Sequence, residues 1–222
     1  MRILGNRNEK QIISFTKNPL ENSNLLGELF TAISQKQVIE LHYHVFSKPN
    51  EDLQINLNPY LLKEYNRRWY LFAEAETGSK LLNFSLDRID KCIALPSHKY
   101  RDYDGDINEW FNDIIGVTVL DKSPVYKIIF WVSDSSKDYV MTKPLHDSQR
   151  VLSKDETHIL QNKFPFLKDG VFFRMDCKRN YELIRELTSF GENLLVIEPK
   201  DIQNEIYEKI SLLNNNYNRL RT

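Results

Sequence analysis

The segment VIELHYHVF, residues 38–46, is the feature that most restricts how this chain can fold. Ile39, Leu41 and Tyr43 alternate with polar side chains, and apolar residues at every second position are typical of a strand with one buried face. Just before it, residues 25–33 place leucines, Phe30 and Ile33 at helical spacing. The chain therefore predicts an amphipathic helix that packs on a half-buried strand.

Further strands are predicted directly after this one. Their ranges are about Leu53 to Glu64, Arg68 to Ala75, Leu81 to Leu86, and Ile89 to Leu95. Between the second and third of these, Thr77, Gly78 and Ser79 provide the loop chemistry of a hairpin. One helix and five mostly hairpin-linked strands favour a small closed or nearly closed β-barrel over residues 25–99, because closure removes exposed sheet edges.

A chain of 222 residues exceeds one small core, so two domains of about 100 residues each are expected. Residues 100–120 predict a connector helix between them. Asp106 and Glu109 have the spacing of a capping box, an apolar stripe runs from Ile107 to Ile114, and Gly116 can end the helix. Residues 1–24 remain as an N-terminal segment.

Residues 121–222 predict a second α+β domain. Its elements are a strand at Val125 to Val132, a helix at Ser135 to Met141, strands at His158 to Lys163 and Val171 to Cys177, a helix at Tyr181 to Phe190, a strand at Leu194 to Glu198, and a helix at Ile202 to Leu213. The order strand, helix, strand, strand, helix, strand is that of a ferredoxin-like domain. The fold class is therefore α+β, with a barrel followed by a ferredoxin-like unit.

Composition narrows the class of protein. Cys92 and Cys177 are far apart and form no CxxC pair, so neither a zinc half-site nor a disulfide framework is indicated. No apolar run has the length of a signal peptide or a membrane span, and we expect a cytoplasmic protein. The formal net charge is −1, so any nucleic acid would need a local basic patch.

The stretch from Asn58 to Ile89 carries an ordered set of motifs. Trp69, Tyr70 and Leu71 follow a basic residue, and a Leu-Asp-Arg-Ile element, Leu86 to Ile89, begins about fifteen positions later. Upstream lie a strand containing Tyr43 and the pair Pro59–Tyr60. This set resembles the WYL-domain family of bacterial-type transcriptional regulators. Residues 144–149, Gly191 and the pair Glu198–Pro199 look like the extension that follows many of these domains, so the resemblance covers residues from roughly 25 to 215.

The resemblance implies an Sm-like barrel that senses a ligand, in some members a nucleotide or single-stranded nucleic acid. It also implies a homodimer, and contact with duplex DNA only through a helix-turn-helix that these residues do not contain. Two positions depart from the family pattern. Many members have a basic residue at the position of Ser85, and relatives often have His at that of Asn58. We therefore expect weaker anion binding or a different ligand.

An anion-binding pocket agrees with the residue types in this stretch. Arginine offers a planar fork of donors that matches phosphate, and tyrosine offers a hydroxyl and a stacking face. The candidate ligand-binding residues are Tyr43, Tyr60, Arg67, Arg68, Tyr70 and Arg88. The alternative is that Trp69 and Tyr70 belong to the barrel core and that Arg88 pairs with Asp87 or Asp90.

Three other patterns imitate known sites. His42 and His44 share one strand face and could hold a metal if a third ligand approached, but exposed strand histidines explain them as well. His146 and Ser148 are residue types of a hydrolase triad without a nucleophile elbow. The aspartates from Asp102 to Asp106 imitate a calcium loop, yet an aspartate replaces the glutamate at the twelfth position. We predict no catalytic residues, no metal and no cofactor.

Two rival functions stay open at this point. One is a metal-dependent enzyme acting on nucleic acid or nucleotides, and the other is a structural dimerisation module with an empty barrel. The first interpretation remains a sensing module of a regulator that binds an anionic effector and is not an enzyme.

Overall fold

A computed structural model describes residues 23–46, 52–118, 123–167 and 169–221 of the chain. These residues form two compact units, one up to Asp102 and the other from Tyr103 onward. Nearly all of the predicted N-terminal segment, residues 1–24, lies outside the described residues. Each unit contains one antiparallel sheet, so the fold is α+β as predicted.

The first unit consists of one helix and a five-stranded antiparallel sheet with the order β4-β3-β2-β1-β5. Its elements are α1 (Ser23–Ser34), β1 (Val38–His44), β2 (Asp52–Tyr65), β3 (Arg68–Ala75), β4 (Leu81–Ser85) and β5 (Ile89–Leu95), with a 3₁₀ turn at Leu86–Arg88. All five predicted strands are confirmed. β4 and β5 stand at the two ends of this order, and closure of the sheet into a barrel stays a prediction.

The core of the first unit lies between α1 and one face of the sheet. Leu29 of α1, Ile39 and Leu41 of β1, and Leu71 of β3 are fully buried in one cluster. The odd-numbered residues of β1 face this core because side chains alternate along a strand. The period-two pattern of residues 38–46 therefore reports the buried face correctly.

A two-residue hairpin joins β2 to β3. Tyr65 pairs with Arg68, and the loop residues Asn66 and Arg67 have φ angles of 54° and 68°. Positive φ at both positions is the geometry whose twist matches the flanking strands. The backbone N–H of Arg67 donates to Glu64 Oε1 at 2.5 Å. This turn leaves Arg67 exposed at the hairpin tip and makes Arg68 the first residue of β3.

The second unit is built on a four-stranded antiparallel sheet with the order β7-β8-β6-β9. Its elements are β6 (Val125–Ser133), α2 (Lys137–Thr142), β7 (Arg150–Val151), α3 (Lys154–Lys163), β8 (Gly170–Lys178), α4 (Tyr181–Ser189), β9 (Leu194–Glu198) and α5 (Lys200–Arg219), with 3₁₀ turns at Pro165–Leu167 and Gly191–Asn193. The last helix is longer than predicted at both ends.

One predicted strand in this unit is wrong, because His158 to Lys163 form the second half of α3. The helix begins with a complete capping box. The Ser153 hydroxyl accepts from the Glu156 backbone N–H, and the Glu156 carboxylate accepts from the Ser153 backbone N–H. These contacts satisfy N–H groups that would otherwise be unpaired at a helix start. The strand expected here is instead the two-residue β7, which pairs with β8.

The predicted connector helix is a five-residue 3₁₀ turn, Ile107–Phe111. Asp106 caps it by accepting from the Asn108 backbone N–H at 2.8 Å. Residues from Tyr103 onward belong to the second unit. Gly116 does not end a helix; its φ is 84°, and a Cβ there would lie 2.6 Å from Glu182 Cγ, so only glycine fits against that side chain.

The second sheet is covered on both faces. On one face, Phe130 of β6 stacks on Phe173 of β8 with ring centroids 5.5 Å apart, and α4 packs over them through Leu183. On the other face, Trp131 and its cross-strand partner Phe172 form a separate cluster that includes Leu160 of α3 and Leu167. The inserted helix α3 thus creates a second small core.

The placement of the two cysteines predicts slow thiol labelling and a stability that depends on pH. Cys177 lies in the core of the second unit and Cys92 packs against that of the first, and burial raises the pKa of each thiol to about 11. At pH 8 we expect thiol labelling of the native protein to be at least tenfold slower than in urea, because the thiolate is the reactive form. The unfolded chain loses these protons at lower pH, so stability should fall as pH rises from about 9 towards 11. Fast native labelling of Cys177 at pH 8 would contradict its burial.

Candidate functional site

Tyr43 and Arg88 meet at the junction of β4 and β5. The Tyr43 ring projects from β1 into the core and packs edge-on against Phe84, with centroids 5.2 Å apart. Its hydroxyl accepts from the backbone N–H of Ser85 at 3.3 Å and from the Arg88 guanidinium. One buried tyrosine therefore positions both the end of β4 and the arginine that follows it.

Arg88 lies between two aromatic rings. The centre of its guanidinium is 4.6 Å from the centroid of Tyr43 and 4.7 Å from that of Phe46, distances typical of cation–π contacts. Burial lowers the pKa of Arg88, but an arginine remains charged near neutral pH. Within the described ranges, no carboxylate forms an ion pair with this guanidinium. Arg88 is thus a half-buried cation whose charge no described carboxylate neutralises.

Arg68 has a different environment. Its Nη1 lies 3.3 Å from Asp87 Oδ2, and 57% of its side chain is exposed. The Ser85 hydroxyl donates to the same carboxylate. Tyr70 pairs with Ser85 across β3 and β4, so the two side chains lie on the same face of the sheet. Asp87 therefore pairs with Arg68, whereas the alternative interpretation pairs Arg88 with Asp87 or Asp90.

Tyr60 lies in a second polar cluster. A bulge between Pro59 and Leu61 shifts the strand register there, and the Tyr60 hydroxyl donates to Glu74 Oε2 at 3.2 Å. Glu74 is six residues along β3 from Arg68, or about 20 Å at roughly 3.3 Å per residue. The six candidate residues therefore do not form one cluster. Tyr43 meets Arg88, Arg68 and Tyr70 lie near Ser85, and Tyr60 and Arg67 are elsewhere.

The cluster around Glu74 has a structural explanation. Arg101 donates to Glu74 Oε2 at 2.8 Å and to the Gly78 carbonyl, so it holds the segment after β5 against the β3–β4 hairpin. Asn58 Oδ1 accepts from the Arg101 backbone N–H at 2.9 Å. Burial and the neighbouring Glu74 carboxylate raise the pKa of Tyr60. The role of Tyr60 in ligand binding stays a prediction.

The two strand histidines pair with carboxylates. His42 Nε2 lies 2.9 Å from Glu40 Oε1, and His44 Nδ1 lies 3.4 Å from Asp52 Oδ1. The hydrogen bond to His42 holds the pKa of Glu40 below its usual value. Over the described ranges, no group of three or more His, Cys, Asp or Glu residues has the geometry to hold a metal ion.

Ser148 and His146 form a local structural link. The Ser148 hydroxyl lies 2.7 Å from His146 Nδ1, donates to the Asp176 carbonyl at 3.0 Å, and accepts from the Asp176 backbone N–H at 2.9 Å. These contacts tie the loop before β7 to β8. Of the aspartates that imitate a calcium loop, Asp102 pairs with Lys36 at 2.6 Å and Asp106 caps the 3₁₀ turn.

Sequence reasoning missed two contributors to the site. Phe46 covers one side of the Arg88 guanidinium, and Ser85 supplies the backbone N–H and the hydroxyl described above. Phe46 ends the alternating segment 38–46, so an exposed aromatic residue after a strand was the available signal. Ser85 was noted only as a departure from a family pattern.

The region that carries this geometry has recognisable relatives. Residues 24–93 match the WYL domain family. This WYL-matching region contains all six candidate residues, including Tyr43 and Arg88. It covers the whole sheet of the first unit except the last residues of β5.

The alignments with two solved structures extend beyond the WYL-matching region and cover most of the chain. A structure described as a CRISPR Cas-related protein is 14% identical, covers 86% of this chain and 51% of its own chain, and has a TM-score of 0.50. Proteasome accessory factor B/C (PafBC) of Arthrobacter aurescens is 13% identical and covers 87% of this chain and 27% of its own, with a TM-score of 0.35. The present chain thus spans about half or less of these proteins. At such identities, the first likeness shows a shared fold alone.

No curated protein matches the sequence. Among the described helices, none combines the length and apolar character needed to cross a membrane.

Proposed function

We propose that the WYL-matching region is the effector-binding part of a cytoplasmic transcriptional regulator, and that Arg88 contacts an anionic effector there. The single observation that carries the proposal is the Arg88 guanidinium, held between Tyr43 and Phe46 with no ion-pair partner among the described residues. A half-buried charge without a counterion is costly, so this guanidinium favours binding of an anion on the side that the two rings leave uncovered.

The aromatic surroundings favour a nucleotide or single-stranded nucleic acid as the effector. Phe46 is 63% exposed, so one ring beside the cation is accessible to a flat ligand. Bases stack on aromatic rings while phosphates take charge-assisted hydrogen bonds from arginine, and both groups are present here. Arg68, paired with Asp87, is the second arginine of the proposed site, and Tyr70 lies two residues along the same strand.

The finer fold assignment belongs to the same proposal. The order β4-β3-β2-β1-β5 with a 3₁₀ turn between β4 and β5 supports an Sm-like barrel. The order β7-β8-β6-β9, with helices after β6 and β8, supports a ferredoxin-like second unit that carries the added helix α3. In this assignment the chain senses an effector and contacts duplex DNA only through a helix-turn-helix outside these residues.

Calorimetric titration with nucleotides and short single-stranded oligonucleotides tests the proposal. Arg88→Ala removes a charge-assisted hydrogen bond, so the affinity of any ligand that the wild type binds should fall by roughly tenfold to a hundredfold, or about 1.5–3 kcal/mol. Binding by the wild type should also weaken with salt, because exposed charges are screened. Thermal melts of the same samples separate lost binding from lost folding.

Arg150→Ala is the matched control. Arg150 is an exposed arginine of β7 in the other unit, and its loss changes the net charge equally. We expect its affinity to equal that of the wild type. Equal loss in both variants would indicate a diffuse charge effect, and no loss in either would place the ligand elsewhere. A wild-type protein that binds none of these anions would favour a structural module.

A further inference from the structure

A cavity of about 340 Å³ lies between α4 and α5 of the second unit. Four residues of α4 at helical spacing form one wall: Tyr181, Ile184, Arg185 and Thr188. Glu205 and Lys209 of α5, together with Thr118 and Arg179, complete the lining. Ligand pockets usually have volumes of about 300–1,000 Å³, so this cavity has the size for a small molecule. We call it the α4–α5 cavity.

The charges of the α4–α5 cavity favour an anion. Arg179, Arg185 and Lys209 are cations, and Glu205 is the one carboxylate of the lining. Arg185 already interacts with another residue, whereas Lys209 has no hydrogen bond or ion pair in the part of the chain that the structure describes. An anion that enters the cavity therefore meets an excess of positive charge, with the Lys209 ammonium available to it.

Arg179 is held in a fixed orientation by Glu205. Its Nε donates to Glu205 Oε2 at 2.9 Å and its Nη2 to Glu205 Oε1 at 2.7 Å. This two-point pair fixes the planar guanidinium but uses one edge of it, and Nη1 makes no hydrogen bond with a described residue. Nη1 carries two further N–H groups, which phosphate oxygens accept well. Arg179 and Lys209 thus supply the donors for a phosphate.

The two threonines of the lining call for hydroxyl groups on the ligand. Thr118 Oγ1 donates its proton to Glu182 Oε1 at 2.8 Å, and Thr188 Oγ1 donates to the Ile184 carbonyl at 2.8 Å. A hydroxyl has one proton, so towards a ligand both oxygens only accept. We propose that the α4–α5 cavity binds a small sugar phosphate, with the phosphate on Arg179 and Lys209 and sugar hydroxyls on the threonines. The proposal does not rest on the Arg88 site.

Titration of the ¹⁵N-labelled full chain with ribose 5-phosphate, followed by NMR, tests the site. We expect the amide signals of Thr188 and Lys209 to shift, with a dissociation constant of about 1 mM or below. Inorganic phosphate and ribose should each bind at least about threefold more weakly, because each lacks one set of contacts. No shift up to about 10 mM, or shifts confined to residues near Arg88, would overturn the proposal. Inorganic phosphate that binds as tightly as ribose 5-phosphate would refute the role of the sugar.

Three variants separate the two halves of the ligand. Lys209→Ala should weaken binding of both ribose 5-phosphate and inorganic phosphate by about tenfold. Thr188→Val keeps the side-chain shape and should weaken the sugar phosphate alone, by about threefold or more. Lys200→Ala is the matched control, since this exposed lysine of α5 lies nine residues earlier, on the opposite side of the helix at about 3.6 residues per turn. Its affinities should equal those of the wild type. Equal effects of the two lysine variants, in samples whose thermal melts match, would overturn the proposal.

Discussion

Phe173→Ala is expected to lower the free energy of unfolding of the second unit by about 3–5 kcal/mol. Phe173 is 1% exposed and lies on β8, the strand between β6 and β7. Its ring stacks on Phe130 at a centroid distance of 5.5 Å. Truncation removes buried apolar area and leaves a cavity that a four-stranded sheet covered on both faces cannot fill by collapsing.

Urea denaturation followed by tryptophan fluorescence measures this loss. Trp110 and Trp131 belong to the second unit and Trp69 to the first, so replacing Trp69 by phenylalanine in the background assigns the transition. Tyr139→Ala is the control, because this aromatic residue is 74% exposed and should cost less than about 0.5 kcal/mol. A loss below 1 kcal/mol for Phe173→Ala would mean that the core is not packed as described.

Asn180→Ala should destabilise the same unit by about 2–5 kcal/mol. Asn180 is fully buried and its Nδ2 donates to the carbonyls of Ile115 at 2.8 Å and Thr118 at 2.9 Å. Its Oδ1 accepts from the backbone N–H of Leu183 at 2.8 Å and so caps α4. Loss of a cap costs about 0.5–2 kcal/mol, and the buried Ile115 carbonyl left unpaired adds about 1–3 kcal/mol.

The aspartate variant separates these contributions. Asn180→Asp keeps the cap, because a carboxylate accepts from Leu183 N–H, but it places negative charge against two carbonyl oxygens. We expect it to be at least as destabilising as alanine at pH 7 and to recover as the carboxyl is protonated at lower pH. The same urea titrations at pH 7 and pH 5 measure both effects. An aspartate variant as stable as the wild type would show that only the cap matters.

Most of the fold could be predicted from periodicity, and the exceptions have physical causes. Strand β1 alternates because one of its faces packs in the core cluster that contains Leu29 of α1, whereas β3 has four consecutive buried residues, 71–74. Helix α3 was predicted as a strand since only Leu160 of its residues is buried, which leaves no apolar stripe to read. The capping box from Ser153 to Glu156 was the signal that indicated a helix. A two-residue strand such as β7 leaves no period at all.

The candidate site was predictable in its residue types and less so in its geometry. Tyr43 and Arg88 are 45 residues apart and meet because β1 pairs with β5. Arg68 and Tyr70 were placed correctly on β3. Tyr60 lies five residues before Tyr65, the partner of Arg68, so roughly 17 Å of strand separates it from that arginine. Residue types alone do not indicate this separation.

Helix α3 covers the sheet face of the second unit on which the bases of a single-stranded RNA would otherwise stack. In RNA-recognition modules with a four-stranded sheet, aromatic residues on a bare sheet face stack on the bases. Trp131 and Phe172 form such an aromatic pair on the neighbouring strands β6 and β8, but they are only 9% and 0% exposed. Leu160 of α3 and Leu167 pack in the same cluster. This face of the sheet is therefore covered, and RNA bases could stack on it only after α3 had moved away.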